Sequence, residues 1–125
     1  MSEKQRRFGR VPVNLHASIY LSATQRYEAL ASNISVGGVF LQVDDSIQLM
    51  VGEKIQVEVQ LHQPSQIVRT IAEVRWKGVE PNRGYGFAFH DLKPLDAWAL
   101  LQQGRSPAEA IQYPHPKQEF NRELG

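Results

Sequence analysis

Ile55-Gln56-Val57-Glu58-Val59-Gln60-Leu61 alternates strictly between apolar and polar residues. A period of two puts Ile55, Val57, Val59 and Leu61 on one face and Gln56, Glu58 and Gln60 on the other, as in a strand with one side against a core. His62 to Gln66 follows, with Pro64 and Ser65, and reads as a hairpin loop. The chain returns through Ile67 to Lys77, where Thr70, Ala72, Val74 and Trp76 share one face, so the two runs are expected to pair antiparallel.

The same period extends outward in both directions. Upstream, Val13, Leu15, Ala17, Ile19 and Leu21 alternate with Asn14, His16, Ser18 and Tyr20. A turn around Thr24 and Gln25 leads to a partner strand over Tyr27 to Ser32, and Asn33 to Gly38 interrupts before Val39 to Val43. Asp44 to Lys54 is a connection with Gly52 as its turn residue. Downstream, Gly78 to Arg83 is a turn and Gly84 to His90 a last strand, with Tyr85, Phe87 and Phe89 opposite Gly86, Ala88 and His90. Six strands with short connections predict an all-β fold, a closed or nearly closed antiparallel barrel. After Leu92 the period changes: Pro94 suits a first helical turn, Leu95, Trp98, Ala99 and Gln102 follow at helical spacing, and Gly104 is a stop. The chain therefore divides into an arm over 1–12, a barrel and closing helix over 13–104, and a tail over 105–125. Ser106, Pro107 and Glu109 could start a short helix in that tail before Pro114 and Pro116 end it.

The 125 residues suffice for one domain, and 42% hydrophobic content supplies a core. Fourteen Lys and Arg against thirteen Asp and Glu leave a net charge of +1, too small a field to hold a nucleic-acid duplex or a membrane surface. Any charge-based function must be local. The absence of cysteine removes disulfides, thiolate metal sites and Cys nucleophiles. The polar start MSEKQRRFGR lacks a signal-peptide core, and no run approaches the roughly 18 apolar residues of a membrane span, so the expectation is a soluble, cytoplasmic protein.

Two segments carry chemistry. Arg6-Arg7-Phe8-Gly9-Arg10 sets three guanidiniums on the arm, each able to fork onto a phosphate or the O6 and N7 edge of guanine, or to stack on a base. Asn33-Ile34-Ser35-Val36-Gly37-Gly38 sets two short hydrogen-bonding side chains on the same side of an extended segment, followed by glycines that allow close backbone approach. Taken singly, these are a solvated basic terminus and an ordinary turn.

Their conjunction resembles the PilZ family of cyclic di-GMP receptors, over roughly residues 6 to 103. Arg6 and Arg10 match that family's Arg-x-x-x-Arg motif, Arg7 its frequent doubled arginine, and Asn33, Ser35 and Gly38 its second motif in the Asn form. Tyr85-Gly86-Phe87-Ala88-Phe89 matches its late Gly-aromatic strand. The resemblance implies a six-stranded antiparallel barrel with a C-terminal helix and a bacterial origin. Cyclic di-GMP would lie on the outside of the barrel between the arm's arginines and a ledge of Asn33, Ser35, Gly37 and Gly38. It adds Trp76, since some members place an aromatic at the end of the corresponding strand to stack on guanine. From its alternation with Val74 and Ala72, the first expectation for Trp76 is nevertheless core packing.

No catalytic motif is present: no Gly-x-Ser-x-Gly elbow, no phosphate loop, no His-Glu-x-x-His, no EF-hand loop. His16, His62, His90 and His115 have no partners at metal-ligand spacing and are expected at the surface or in turns; Asp44 and Asp45 read as turn residues, Asp91 and Asp96 as helix-entry carboxylates. The expectation is a receptor, not an enzyme, with cyclic di-GMP as ligand, no metal or cofactor, a downstream protein partner, no nucleic-acid polymer, and a monomeric or homodimeric state. Two rivals stand beside it: a PilZ-like interaction module that binds no nucleotide, and a single-stranded RNA binder, which would need several exposed aromatics beside a continuous basic face.

Overall fold

The computed structural model describes residues 10–81 and 83–103. Six strands, β1 (Val11–Ser22), β2 (Gln25–Ile34), β3 (Gly38–Gln42), β4 (Lys54–His62), β5 (Ser65–Gly78) and β6 (Gly84–His90), precede one helix, α1 (Pro94–Leu101). The strands close into a barrel in the order β1-β2-β3-β6-β5-β4, every neighbouring pair antiparallel. Closure leaves no sheet edge open to another chain.

Alternation explains the interior. Ile55, Val57, Val59 and Leu61 all point inward from β4, joined by Leu15, Ala17 and Ile19 from β1, Val68, Ala72 and Val74 from β5, and Tyr85 and Phe87 from β6. Each such aliphatic or aromatic side chain contributes about 1.5–3 kcal/mol of transfer free energy on burial. Ser18 departs from the simple pattern: it lies on the outward face of β1 yet is buried.

The connection from β3 to β4 joins strands that are not neighbours, so residues 43–53 must cross one end of the barrel. Ile47 and Leu49 plug that end. Tyr85 anchors them: its hydroxyl accepts the Leu49 N–H at 3.1 Å and donates to the Ile47 carbonyl at 3.4 Å. At the other end Ala99 and Leu100 of α1 enter the core. Pro94 starts α1 as expected, with Lys93 held extended before it (ψ 149°). Of the residues at helical spacing, Ala99 and Gln102 are buried and Trp98 packs against the core, but Leu95 does not. Leu95 is exposed, while Asp96 is buried, accepts the Gln66 Nε2–H at 2.6 Å and shares the barrel-facing side with Ala99 and Leu100. Gly104, the tail and its possible capping box lie outside the described residues. None of the described helices is long and apolar enough to cross a membrane.

Candidate functional site

The barrel registers place one residue from each of five strands in a single lateral row on the outer face. Pro12 of β1 pairs with Asn33 of β2, Asn33 with Phe40 of β3, Phe40 with Gly86 of β6, and Gly86 with Trp76 of β5. Two one-residue irregularities create this row. Between Ala31 and Asn33 the β2–β3 register slips, with Ser32 as the extra residue, so Asn33 faces outward although Ala31 faces in. Between Val74 and Trp76 the β5–β6 register slips at Arg75, with the same result for Trp76. A bulge of this kind reverses the facing of every residue after it.

Trp76 is accordingly not a core residue. Val74 is fully buried, but 46% of Trp76 is exposed, and the shared face read from the alternation ends at the bulge. Its ring stacks on Phe40, centroids 5.0 Å apart and planes at 27°. With Ser32 and Asn33 the two rings line a concavity of about 180 Å³.

Arg10, just before β1, reaches this concavity's polar side. Its Nη1–H donates to the Asn33 Oδ1 at 2.7 Å, so residues from the two candidate segments, 23 positions apart, meet. The bond fixes the amide, directing the Asn33 oxygen to the arginine and leaving its NH₂ group as donor. Arg10 remains exposed, and its other N–H groups have no partner among the described residues. The site thus offers guanidinium and amide donors at one side and an aromatic face at the other. That combination suits a ligand with anionic oxygens and a flat ring.

The remaining candidates take other positions. Ser35 lies beyond the end of β2 in the turn to β3, where it is only 5% exposed. Its Oγ accepts the Gly37 N–H at 3.0 Å, and its own N–H donates to the Gly38 carbonyl at 2.9 Å. Ser35 holds the turn, and the outward ledge next to the concavity is Asn33. Gly37 is exposed, with its carbonyl accepting the Phe89 N–H at 3.0 Å. Gly38 is buried against β6, where a Cβ would collide with the Phe87 carbonyl oxygen and lie 3.1 Å from its carbon. Arg6 and Arg7 lie outside the described residues. Phe40 and Gly86 were not singled out in the sequence; a Gly-x-Gly strand opposite aromatics was the signal available.

Two other concavities are occupied by their own charges. In one of about 50 Å³ at the barrel end, Arg83 is taken by Asp45 at 2.8 Å and Glu80 at 3.2 Å. In one of about 110 Å³ on the far side, Glu58 accepts from Arg69 at 2.6 Å and from the Tyr20 hydroxyl at 3.2 Å. Arg69 holds the Glu58 carboxyl below the usual glutamate range, with Tyr20 adding to the effect. The described histidines are single. His16 pairs with Glu28 on the surface, His90 with Glu73 at 3.1 Å, and no group of three potential metal ligands occurs among the described residues.

Comparison with known proteins places this geometry. The family model described as PilZ domain matches residues 4–103. Among solved structures, the Bacillus subtilis inhibitor of motility superposes with a TM-score of 0.68 at 22% identity, over 78% of this chain and 48% of that one. The PilZ domain of YcgR from Escherichia coli, solved with c-di-GMP, gives 0.61 at 17% identity, over 77% and 86%. YcgR from Escherichia coli in complex with c-di-GMP gives 0.64 at 18% identity, over 77% of this chain and 42% of that one. The chain spans about half the length of the first of these. Comparison with curated proteins finds no match. At these identities the solved structures speak for the fold, and the family model covers most of the sequence: the chain belongs to the PilZ domain family.

Proposed function

We propose that this protein is a cyclic di-GMP receptor that binds the dinucleotide on the outer face of its barrel, between the arm's arginines and the row formed by Asn33, Phe40 and Trp76. The observation that carries the reading is the Arg10–Asn33 hydrogen bond beside an exposed indole, which brings both sequence motifs to one concavity. Cyclic di-GMP carries two phosphodiester charges and two guanines. Arg6, Arg7 and Arg10 supply phosphate neutralisation and forked contacts to guanine, Asn33 a donor, and Trp76 a stacking face. Ser35, Gly37 and Gly38 shape the turn that presents Asn33. The two c-di-GMP complexes among the structural relatives support the same ligand.

In this reading the arm that precedes β1 orders over bound ligand, its boundary falling before Val11, which already belongs to the barrel, and the ordered arm presents a surface to a downstream protein partner in the cytoplasm. The protein performs no chemistry on the nucleotide, which is recovered intact.

Calorimetric titration with cyclic di-GMP, beside GTP and cyclic GMP, tests the proposal. Selective saturable binding is expected, with Arg10→Ala weakening it about 10- to 150-fold, the worth of a hydrogen bond to a charged group. Hydrogen exchange over the arm before β1, residues 1–10, is expected to slow on saturation. Folded wild type that takes up no ligand at high micromolar concentration overturns the receptor reading in favour of a nucleotide-independent interaction module.

A further inference from the structure

We infer that Phe40 and Gly86 are positioning residues for the base-binding face of Trp76, an inference that rests on the receptor reading above. Trp76 lies across the barrel surface above Gly86, its direct partner on β6. A Cβ at Gly86 would collide with Nε1 and Cε2 of the indole and lie 2.8 Å from its Cδ1. Only a residue without a side chain leaves the space that the pyrrole edge fills. On the other flank of Gly86 its β3 partner is Phe40, which stacks on the same indole.

Phe40 is a second anomaly. It sits on the outer face of β3, apart from the core cluster, and yet is only 3% exposed. Gly84, two residues before Gly86 on the same face of β6, provides the rest of its bed, since a Cβ there would come within 2.9 Å of the Phe40 ring. The Gly-x-Gly pair thus cuts a trough into the barrel wall, Phe40 fills it, and Trp76 lies over Gly86 against Phe40. Aromatic rings laid over cross-strand glycines fix one another's rotamers. A stacking residue held this way loses little side-chain freedom when a base arrives. The bulge at Arg75 supplies the third requirement, by turning Trp76 outward.

The test is a cycle of variants in the full chain. Trp98→Phe leaves Trp76 as the one tryptophan of the two, so its emission reports the platform directly. In that background Gly86→Ala and Phe40→Leu are expected to shift ligand-free Trp76 emission to the red and to weaken cyclic di-GMP binding about 5- to 150-fold, the worth of one base stack. Trp76→Ala is expected to weaken it equally, and Gly86→Ala added to Trp76→Ala to cost nothing more, because Gly86 acts only through the indole. Thermal melts establish which variants fold; should Gly86→Ala fail, Phe40→Leu carries the test, since it keeps an apolar filler and loses only the stack. Unchanged affinity in folded variants, or a Gly86→Ala loss that persists in the Trp76→Ala background, overturns the positioning role alone. Wild type that binds no cyclic di-GMP overturns the receptor reading and this role with it.

Discussion

Substituting Gly38 and Gly37 by alanine, one at a time, separates what the second motif does for the fold from what it does for a ligand. At Gly38 the added methyl would overlap the Phe87 carbonyl oxygen and stand 3.1 Å from Phe87 C and 3.3 Å from Ala88 Cα, all backbone atoms of β6. Carbon atoms pack at about 3.5–4.0 Å, so β3 and β6 must separate by about an ångström or more. That separation stretches the Gly38–Ala88 and Val39–Phe87 pairs of the ladder. Overpacking of this kind costs about 1–3 kcal/mol, and each weakened ladder bond about 1 kcal/mol more. Gly38→Ala should therefore destabilise by about 3 kcal/mol, equivalent to roughly 12–24 °C in Tm for a domain of this size. At Gly37 the nearest atom to an added Cβ is the Ser35 Oγ at 3.6 Å, an ordinary contact, and the backbone there does not lie at positive φ. Gly37→Ala should stay within about 0.5 kcal/mol. Urea unfolding of ligand-free protein reads both. Equal midpoints for the two variants, whether both shifted or both unshifted, would refute the reasoning. With the expected difference, any loss of cyclic di-GMP affinity in Gly37→Ala belongs to the ligand side of the turn.

Tyr85→Phe removes the acceptor for the buried Leu49 N–H and the donor to Ile47, so urea unfolding should show a loss of about 1–3 kcal/mol and hydrogen exchange should quicken over residues 44–53. A further expectation concerns acid. Arg69, followed by Tyr20, lowers the Glu58 carboxyl below its ordinary range, so ionised Glu58 stabilises the fold above the unfolded-state value, and this contribution disappears as pH falls through the lower folded-state value. The urea midpoint of Glu58→Gln should consequently fall less steeply with acidification than that of wild type; parallel curves would count against the pairing.

Most of the barrel was legible because alternation is a physical constraint. On a closed sheet every other residue must leave water, and β4 obeys this without exception from Ile55 to Leu61. The helix was legible in its existence, its Pro94 start and its packing of Trp98, Ala99 and Gln102, but not in the burial of Asp96. Asp96 is buried where Gln66, thirty residues away, donates to it, and spacing within the helix carries no trace of that partner.

The candidate site was legible in its residue types and illegible in its facing, for one reason. Asn33 and Trp76 each follow a residue that slips the register, Ser32 in one case and Arg75 in the other. A period-two reading runs straight through both and assigns Trp76 to the face of Val74. Bulges are set by what lies across the ladder, and both slips have the same row opposite them: Phe40 faces Asn33, and Gly86 faces Trp76. Gly86 admits the indole, the indole covers Phe40, and Phe40 adjoins Asn33, so an outward Trp76 is stabilised by neighbours that alternation alone would leave unfilled. Deleting Arg75 would remove the extra residue and join Val74 directly to Trp76, so that the Val74–Phe87 and Trp76–Gly86 pairs follow one another without a slip and Trp76 stays on the outer face. The deletion variant should therefore keep the exposed indole, as should Arg75→Ala, which keeps the residue count and the bulge. Trp76 emission in a Trp98→Phe background checks this: a blue shift in the deletion variant alone, reporting a ring turned inward, would refute the assignment of Arg75 as the extra residue.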